Sequence, residues 1–182
     1  MKVNQRNWLK GPQRKPDGPR EMTFWVSAGL LKRTATVLRQ SGNKEQSHEG
    51  VAYWAGRRGG NDCVVTTCIA PAARTTYGSF DISSETNARV VMYLASAGLE
   101  LLAQVHSHPG AAVGHSDGDD DRALMPYEGF LSIVVPHYGG RGMRPLTICG
   151  VHVFERGGFR RLASAEIEDR FRIFDEIVDL RK

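Results

Sequence analysis

Apolar positions in this chain fall into short blocks with two spacings, separated by polar or glycine-rich breaks. The first block, TFWV at 23–26, reads as a short strand. It runs into AGLLKRTATVLRQSG, where Leu30, Leu31, Val37 and Leu38 recur at helical spacing and Ser41-Gly42 supply a stop. After the polar stretch NKEQSH, the β-rich EGVAYWAG predicts a strand closed by Gly56. CVVTTCIAP beyond Gly-Gly-Asn-Asp predicts its hairpin partner, both strands being largely buried. Ser83 or Ser84 caps a second helix with Val90, Val91, Leu94 and Ala95 on its apolar face, and Gly98 ends it. LELLAQVHSH is then an interior strand that stops at Pro109, because proline cannot donate to a sheet ladder. SDGDDDRALMPYE predicts a short capped helix, and GFLSIVVP and LTICGVHVFE predict further strands. SAEIEDRFRIFDEIVDL predicts one closing amphipathic helix with Ile167, Phe171, Phe174 and Val178 on a stripe. Helices bracketing a hydrophobic sheet make an α/β or α+β sandwich.

Composition changes this picture in three places. At 182 residues and 41% hydrophobic content the chain can bury one full core. We therefore expect a single domain over 23–182, preceded by a basic, flexible tail over 1–22. The net charge of +4 does not describe that domain. Lys2, Arg6, Lys10, Arg14, Lys15 and Arg20 face only Asp17 within the first twenty residues, a local +5 that leaves the remainder near −1. No basic groove for nucleic acid is implied, since phosphate binding needs clustered charge on the folded surface. Neither a membrane-length apolar run nor a signal-like apolar segment stands in the sequence, so the expected address is cytoplasmic. Cys63, Cys68 and Cys149, odd in number and without C-x-x-C spacing, read as reduced core thiols.

The candidate chemistry sits where the interior strand runs out, in HSHPGAAVGHSDGD. On a strand, residues i and i+2 face the same side about 6.6–6.8 Å apart, so His106 and His108 can aim at one point while Ser107 faces away. A catalytic zinc typically takes three protein ligands and keeps one position for water. The loop from Pro109 to His115 can swing the chain back, leaving Asp117, Asp119, Asp120 and Asp121 as candidates for the third ligand. Hydrolysis further needs a carboxylate to carry the proton and a donor for the oxyanion. Ser116 could be that donor, and Glu45, Glu49, Glu85 and Glu100 all lie upstream. His137, His152 and Cys149 make a poor second metal set, because residues three apart on a strand face opposite sides.

The segment fits H-x-H-P-x6-S-x2-D without a gap and is similar to the signature of the JAMM (MPN+, JAB1/Mov34) metalloprotease family in its compact prokaryotic JAB form. LLKRTATVLRQSGNKEQSHEGVAYWAG resembles the helix, loop and strand that carry the family's glutamate, with Glu49 at the matching position. The resemblance spans about residues 23–155. It implies an α/β fold of the JAB/MPN, cytidine-deaminase-like type, a mixed β-sheet flanked by helices. It also implies a Zn²⁺ cofactor held by His106, His108 and Asp119, water activated by Glu49, and an oxyanion supported by Ser116. Asp117, Asp120 and Asp121 are left to solvation and helix N-terminal charge. His48 and His115 are left as surface histidines, and Tyr53 and Trp54 as core fill. The implied activity is that of a zinc-dependent, deubiquitinase-like isopeptidase or peptidase cutting after the C-terminal glycine of a ubiquitin-like protein. Its conjugates would be the substrate, and activating or conjugating enzymes the partners. The same motif leaves three alternatives: a RadC-like DNA-associated protein, a non-catalytic MPN scaffold, and a peptidase that processes a sulfur carrier.

Overall fold

The computed structural model describes residues 21–41, 46–116, 118–119 and 123–176. Most of the basic tail, the Gly42 stop, Asp117, Asp120, Asp121 and Val178 lie outside the described residues. Among the described residues ten strands and three helices of four or more residues follow in chain order: β1 Thr23–Ser27, α1 Ala28–Arg39, β2 Val51–Gly59, β3 Asp62–Ile69, β4 Arg74–Thr76, β5 Ser79–Asp81 and α2 Ser84–Ala97, then β6 Glu100–Ser107, β7 Leu131–Val135, β8 Gly150–Glu155, β9 Gly158–Arg161, α3 Ser164–Arg170 and β10 Phe171–Phe174. Eight strands form one mixed sheet in the order β10-β1-β3-β2-β6-β7-β8-β9, and β4 and β5 make a separate hairpin. This is the mixed α/β architecture expected from the resemblance.

Local chemistry accounts for the helices. Ser27 caps α1, its Oγ accepting from Leu30 N at 3.0 Å, and α1 buries Leu30, Leu31, Thr34, Ala35 and Leu38 against the sheet. Thr34 Oγ1 also accepts from the indole of Trp54 at 2.9 Å, which satisfies the polar edge of a fully buried ring. Tyr53 and Trp54 are core residues, on opposite faces of β2. On the other face α2 is capped by Ser83 and terminated by Gly98 at φ +63°. It buries only Thr86, Val90 and Leu94. Val91 and Ala95, expected inside, are exposed, because the stripe meeting Tyr53 and Ala55 is one residue wide at i, i+4, i+8.

The predicted hairpin forms, with two differences. β2 continues past Gly56 to Gly59 through a bulge, and β3 is only partly buried. The closing helix is a larger departure. α3 ends at Arg170, and FRIF becomes β10, paired in parallel with β1 from Phe24↔Phe171 to Ser27↔Phe174. The Phe171 ring stacks on Phe24 at 5.3 Å, an anchor that local periodicity does not encode. LTI at 146–148 is a 3-10 turn before β8 rather than part of the strand. The main core contains α1, Ile167 and one sheet face. β6 lies in the sheet interior between β2 and β7, so its C-terminal end is enclosed on both sides.

Candidate metal centre

His106 stands near the end of β6 and is fully buried, while His108 lies just beyond it, partly exposed to a cleft of about 270 Å³. Ser107 points to the opposite face, as the strand alternation requires, and there its Oγ accepts from Gly50 N at 2.9 Å. Its own N–H donates to Gly50 O at 3.0 Å. Gly50 is needed here, because a Cβ would meet the Leu38 backbone at 2.6–2.7 Å. The start of β2 is thereby locked against the end of β6. Glu49, one residue earlier, donates its N–H to Thr76 O at 2.8 Å, is 5% exposed, and lines the same cleft as His108, Ser116 and Asp119.

The β4–β5 hairpin, which the hydrophobic pattern did not predict, roofs this region. Phe80 packs on His106 at 5.4 Å between centroids, and Gly78 lines the cleft. Below His108 the loop is clamped by backbone bonds, His137 N to Gly110 O at 3.0 Å and Tyr138 N to His108 O at 2.9 Å. His137 and Tyr138 both adopt φ above +50°, a conformation non-glycine residues take only where the surroundings hold them. Farther along the loop, Val113 packs against Gly150, where a Cβ would collide with the Val113 carbonyl.

Asp119 closes the set. Its Oδ1 lies 3.3 Å from His106 Nε2 and its Oδ2 3.5 Å from His108 Nε2. One ligand atom from each residue lies within 4.8 Å of the others, so the three together could hold a metal ion. Tetrahedral bonds of 2.0–2.2 Å put neighbouring ligand atoms about 3.4 Å apart, close to both observed spacings. The aspartate is aimed by Ser116, whose N–H and Oγ both donate to Oδ2, at 2.7 and 2.9 Å. The second imidazole is aimed by Ala112, whose carbonyl lies 3.1 Å from His108 Nδ1. A proton on that Nδ1 leaves Nε2 as a bare lone pair facing Asp119.

The protonation preferences of His106 and Asp119 suit a cation. Burial pushes the His106 imidazole pKa down against the pull of Asp119, favouring the neutral form that a metal requires. Asp119 raises that of His108 against burial, with a smaller contribution from Glu49. Burial would raise the Asp119 carboxyl, but the His106 and His108 imidazoles beside it outweigh burial and hold the group well below the usual carboxylate range. Among the described residues neither ring nitrogen of His106 has a hydrogen-bond partner, Nε2 meeting only the charge contact of Asp119 Oδ1 at 3.3 Å. An orphaned Nε2 beside a carboxylate is what a metal ligand looks like without its ion, so the residues fit a metal.

His115, expected at the surface, instead turns inward. Its ring stacks on the buried His152 at 3.8 Å, and its Nε2 lies 2.8 Å from Ser132 Oγ. His48 bonds Thr75 Oγ1 at 3.1 Å and lies apart from the ligand group. Cys149 belongs to the main core on the other sheet face from His152, so no second metal set assembles there. The contributions of Ser107, Ala112, Phe80 and the hairpin carried no motif. Only the buried hydroxyl of Ser107 between two histidines could have drawn attention beforehand.

Known proteins resemble this chain over much of its length. The family model described as prokaryotic homologs of the JAB domain matches residues 31–149. A probable metalloprotease, y4jG, of Sinorhizobium fredii is 39% identical over 98 residues, which cover 52% of this chain and 60% of that protein. A probable TtuB-protein conjugate cleaving protease of Thermus thermophilus is 32% identical over 114 residues, or 62% of this chain and 72% of its own length. Among solved structures, protein DSY2949 of Desulfitobacterium hafniense superposes with a TM-score of 0.61 at 16% identity, covering 85% of this chain and 95% of that one. That likeness concerns the fold alone.

Proposed function

Because the chain belongs to the family of prokaryotic homologs of the JAB domain, we propose that it is a zinc-dependent peptidase or isopeptidase that cuts after the C-terminal glycine of a ubiquitin-like protein. The observation that carries this reading is the convergence of His106, His108 and Asp119 on one point, with Glu49 and Ser116 lining the same cleft. Two imidazoles and a carboxylate form a donor set that zinc accepts while leaving one coordination position open. A zinc ion bound there would supply Lewis acidity, polarising the scissile carbonyl and bringing the pKa of water from 15.7 toward about 7.

The chain's own residues divide the remaining work. Glu49 is the general base, taking a proton from the attacking water and passing it to the leaving amine. Its burial beside His108 holds the carboxylate at the cleft wall. Ser116 donates its hydroxyl to the oxyanion. Its hydroxyl leaves Asp119 to do so, and the backbone N–H, 2.7 Å from the same carboxylate oxygen, keeps that ligand oriented.

The substrate class is supported by the Thermus thermophilus relative, whose name records cleavage of TtuB-protein conjugates. A glycine-terminated tail also suits a narrow cleft, since an extended tail without side chains can approach the reacting centre unobstructed.

Elemental analysis of protein purified without chelator should find about one zinc per chain, the stoichiometry of a single three-ligand site. Glu49→Gln should lower cleavage of a ubiquitin-like fusion by about a hundredfold to ten-thousandfold while zinc stays bound. Metal-free active protein, or wild-type turnover by the Glu49 variant, would sink the mechanism.

A further inference from the structure

Two residues before His106 on β6, Gln104 is fully buried, and neither its amide nitrogen nor its oxygen has a hydrogen-bond partner among the described residues. His106 Nδ1 is in the same condition. Native structures satisfy nearly all such groups with protein or with internal water, so two orphans side by side need a common explanation. β6 keeps an unbroken register from Ala103 to His106 against both β2 and β7. Gln104 and His106 therefore project from one face, about 6.6–6.8 Å apart along the strand, a gap that a carboxamide and one water can bridge.

Both cross-strand neighbours of Gln104 on this face are already engaged. Ser132, its partner on β7, has His115 Nε2 2.8 Å from its hydroxyl. Tyr53, its partner on β2, donates its hydroxyl to Asn87 at 3.1 Å. Of the other unpartnered buried nitrogens on this face among the described residues, His106 Nδ1 stands on the same strand as Gln104, whereas His152 Nδ1 lies two strands away on β8, beyond Ser132. We propose that Gln104 is a positioning residue of the metal centre, its carbonyl oxygen holding His106 Nδ1–H through one buried water and so presenting Nε2 to the metal.

The proposal rests on reading His106 as a metal ligand. Histidine ligands ordinarily give their second N–H to such a partner, which fixes the tautomer and the ring orientation, and losing that partner weakens metal binding. A purely structural role predicts something different. Replacing a buried, unpartnered amide by an apolar side chain would then leave metal binding alone and raise the stability of the metal-free fold.

The test uses the full chain as wild type, Gln104→Leu, Gln104→Met and Gln104→Glu. Zinc affinity is read by competition with a chelating dye, the visible spectrum is read after cobalt loading, and melting is followed in excess chelator to confirm folding. Gln104→Leu and Gln104→Met should bind zinc about 10–100-fold more weakly and show an altered cobalt spectrum, with metal-free melting as high as wild type or higher. Gln104→Glu, which keeps an acceptor at the same reach, should restore most of the affinity. Wild-type zinc affinity in a folded Leu or Met variant would overturn the proposal, as would equal losses in the Glu and Leu variants. A wild-type chain that takes up no zinc would overturn this role and the zinc-peptidase reading together, whereas normal zinc uptake unaffected by Gln104 overturns only the former.

Discussion

His152 illustrates how a residue's setting outweighs its type. Burial, and then the neighbouring His115, lower its pKa to about 4, while an unfolded imidazole titrates near 6.5. The unfolded chain therefore takes the proton first as the pH falls. The stabilisation tied to neutral His152 is complete above about pH 6.5 and is lost as the pH drops from there through about 4. In chelator, His152→Leu should flatten the pH dependence of the unfolding free energy across that window, by up to about 1.4 kcal/mol per pH unit. Urea unfolding at a series of pH values measures it, and an unchanged slope would mean that His152 protonates inside the fold. The same dependence on setting appears at the candidate site. The i, i+2 spacing of His106 and His108 and the offset from Ser116 to Asp119 are written in the sequence. That His115 turns inward on His152, while Ser107 clamps Gly50, follows from which strand each residue meets.

Among the elements, the C-terminal segment carries the clearest lesson. SAEIEDRFRIF supports a helical stripe throughout, and the helix does start as the sequence suggests, with Glu166 accepting from Ala163 N at 2.9 Å. It stops at Arg170 because the β1 edge offers FRIF a ladder of backbone bonds and a place for Phe171 against Phe24. Pairing of that kind caps an edge that would otherwise expose unpaired backbone groups. Phe171→Ala should then cost about 3–5 kcal/mol, the range for removing a buried aromatic ring, read as a lower urea midpoint with an unchanged m-value. A loss below about 1 kcal/mol would show that β10 is not anchored through this ring. The β4–β5 hairpin makes the same point, since strands of three residues are too short for alternation to announce them.

At the scale of the whole molecule, the candidate site exists because the sheet order places β2 beside β6. That adjacency brings Glu49 to the cleft of His108 across 59 positions of chain, and the loop leaning on Gly150 returns Ser116 and Asp119 to it. A metal that binds only this assembled state must stabilise it. Free zinc at a hundred times its dissociation constant should add about 2.7 kcal/mol. For a chain of this size that is a rise of about 5–10 °C in Tm, seen by melting with zinc and with chelator. Equal melting temperatures would argue against a preformed site. Among the described residues no helix is long and apolar enough to cross a membrane, in keeping with the absence of a long apolar run. The sequence by itself determined the caps of α2, the β2–β3 hairpin, the parity that turns both histidines to one side, and the motif spacing, because each of these is settled by residues a few positions apart. Only the tertiary structure decided that FRIF is a strand, that Val91 is exposed, that a hairpin roofs His106, and that Glu49 lines the cleft. Each of those depends on strand pairing and burial between segments far apart in the chain, where local periodicity carries no information.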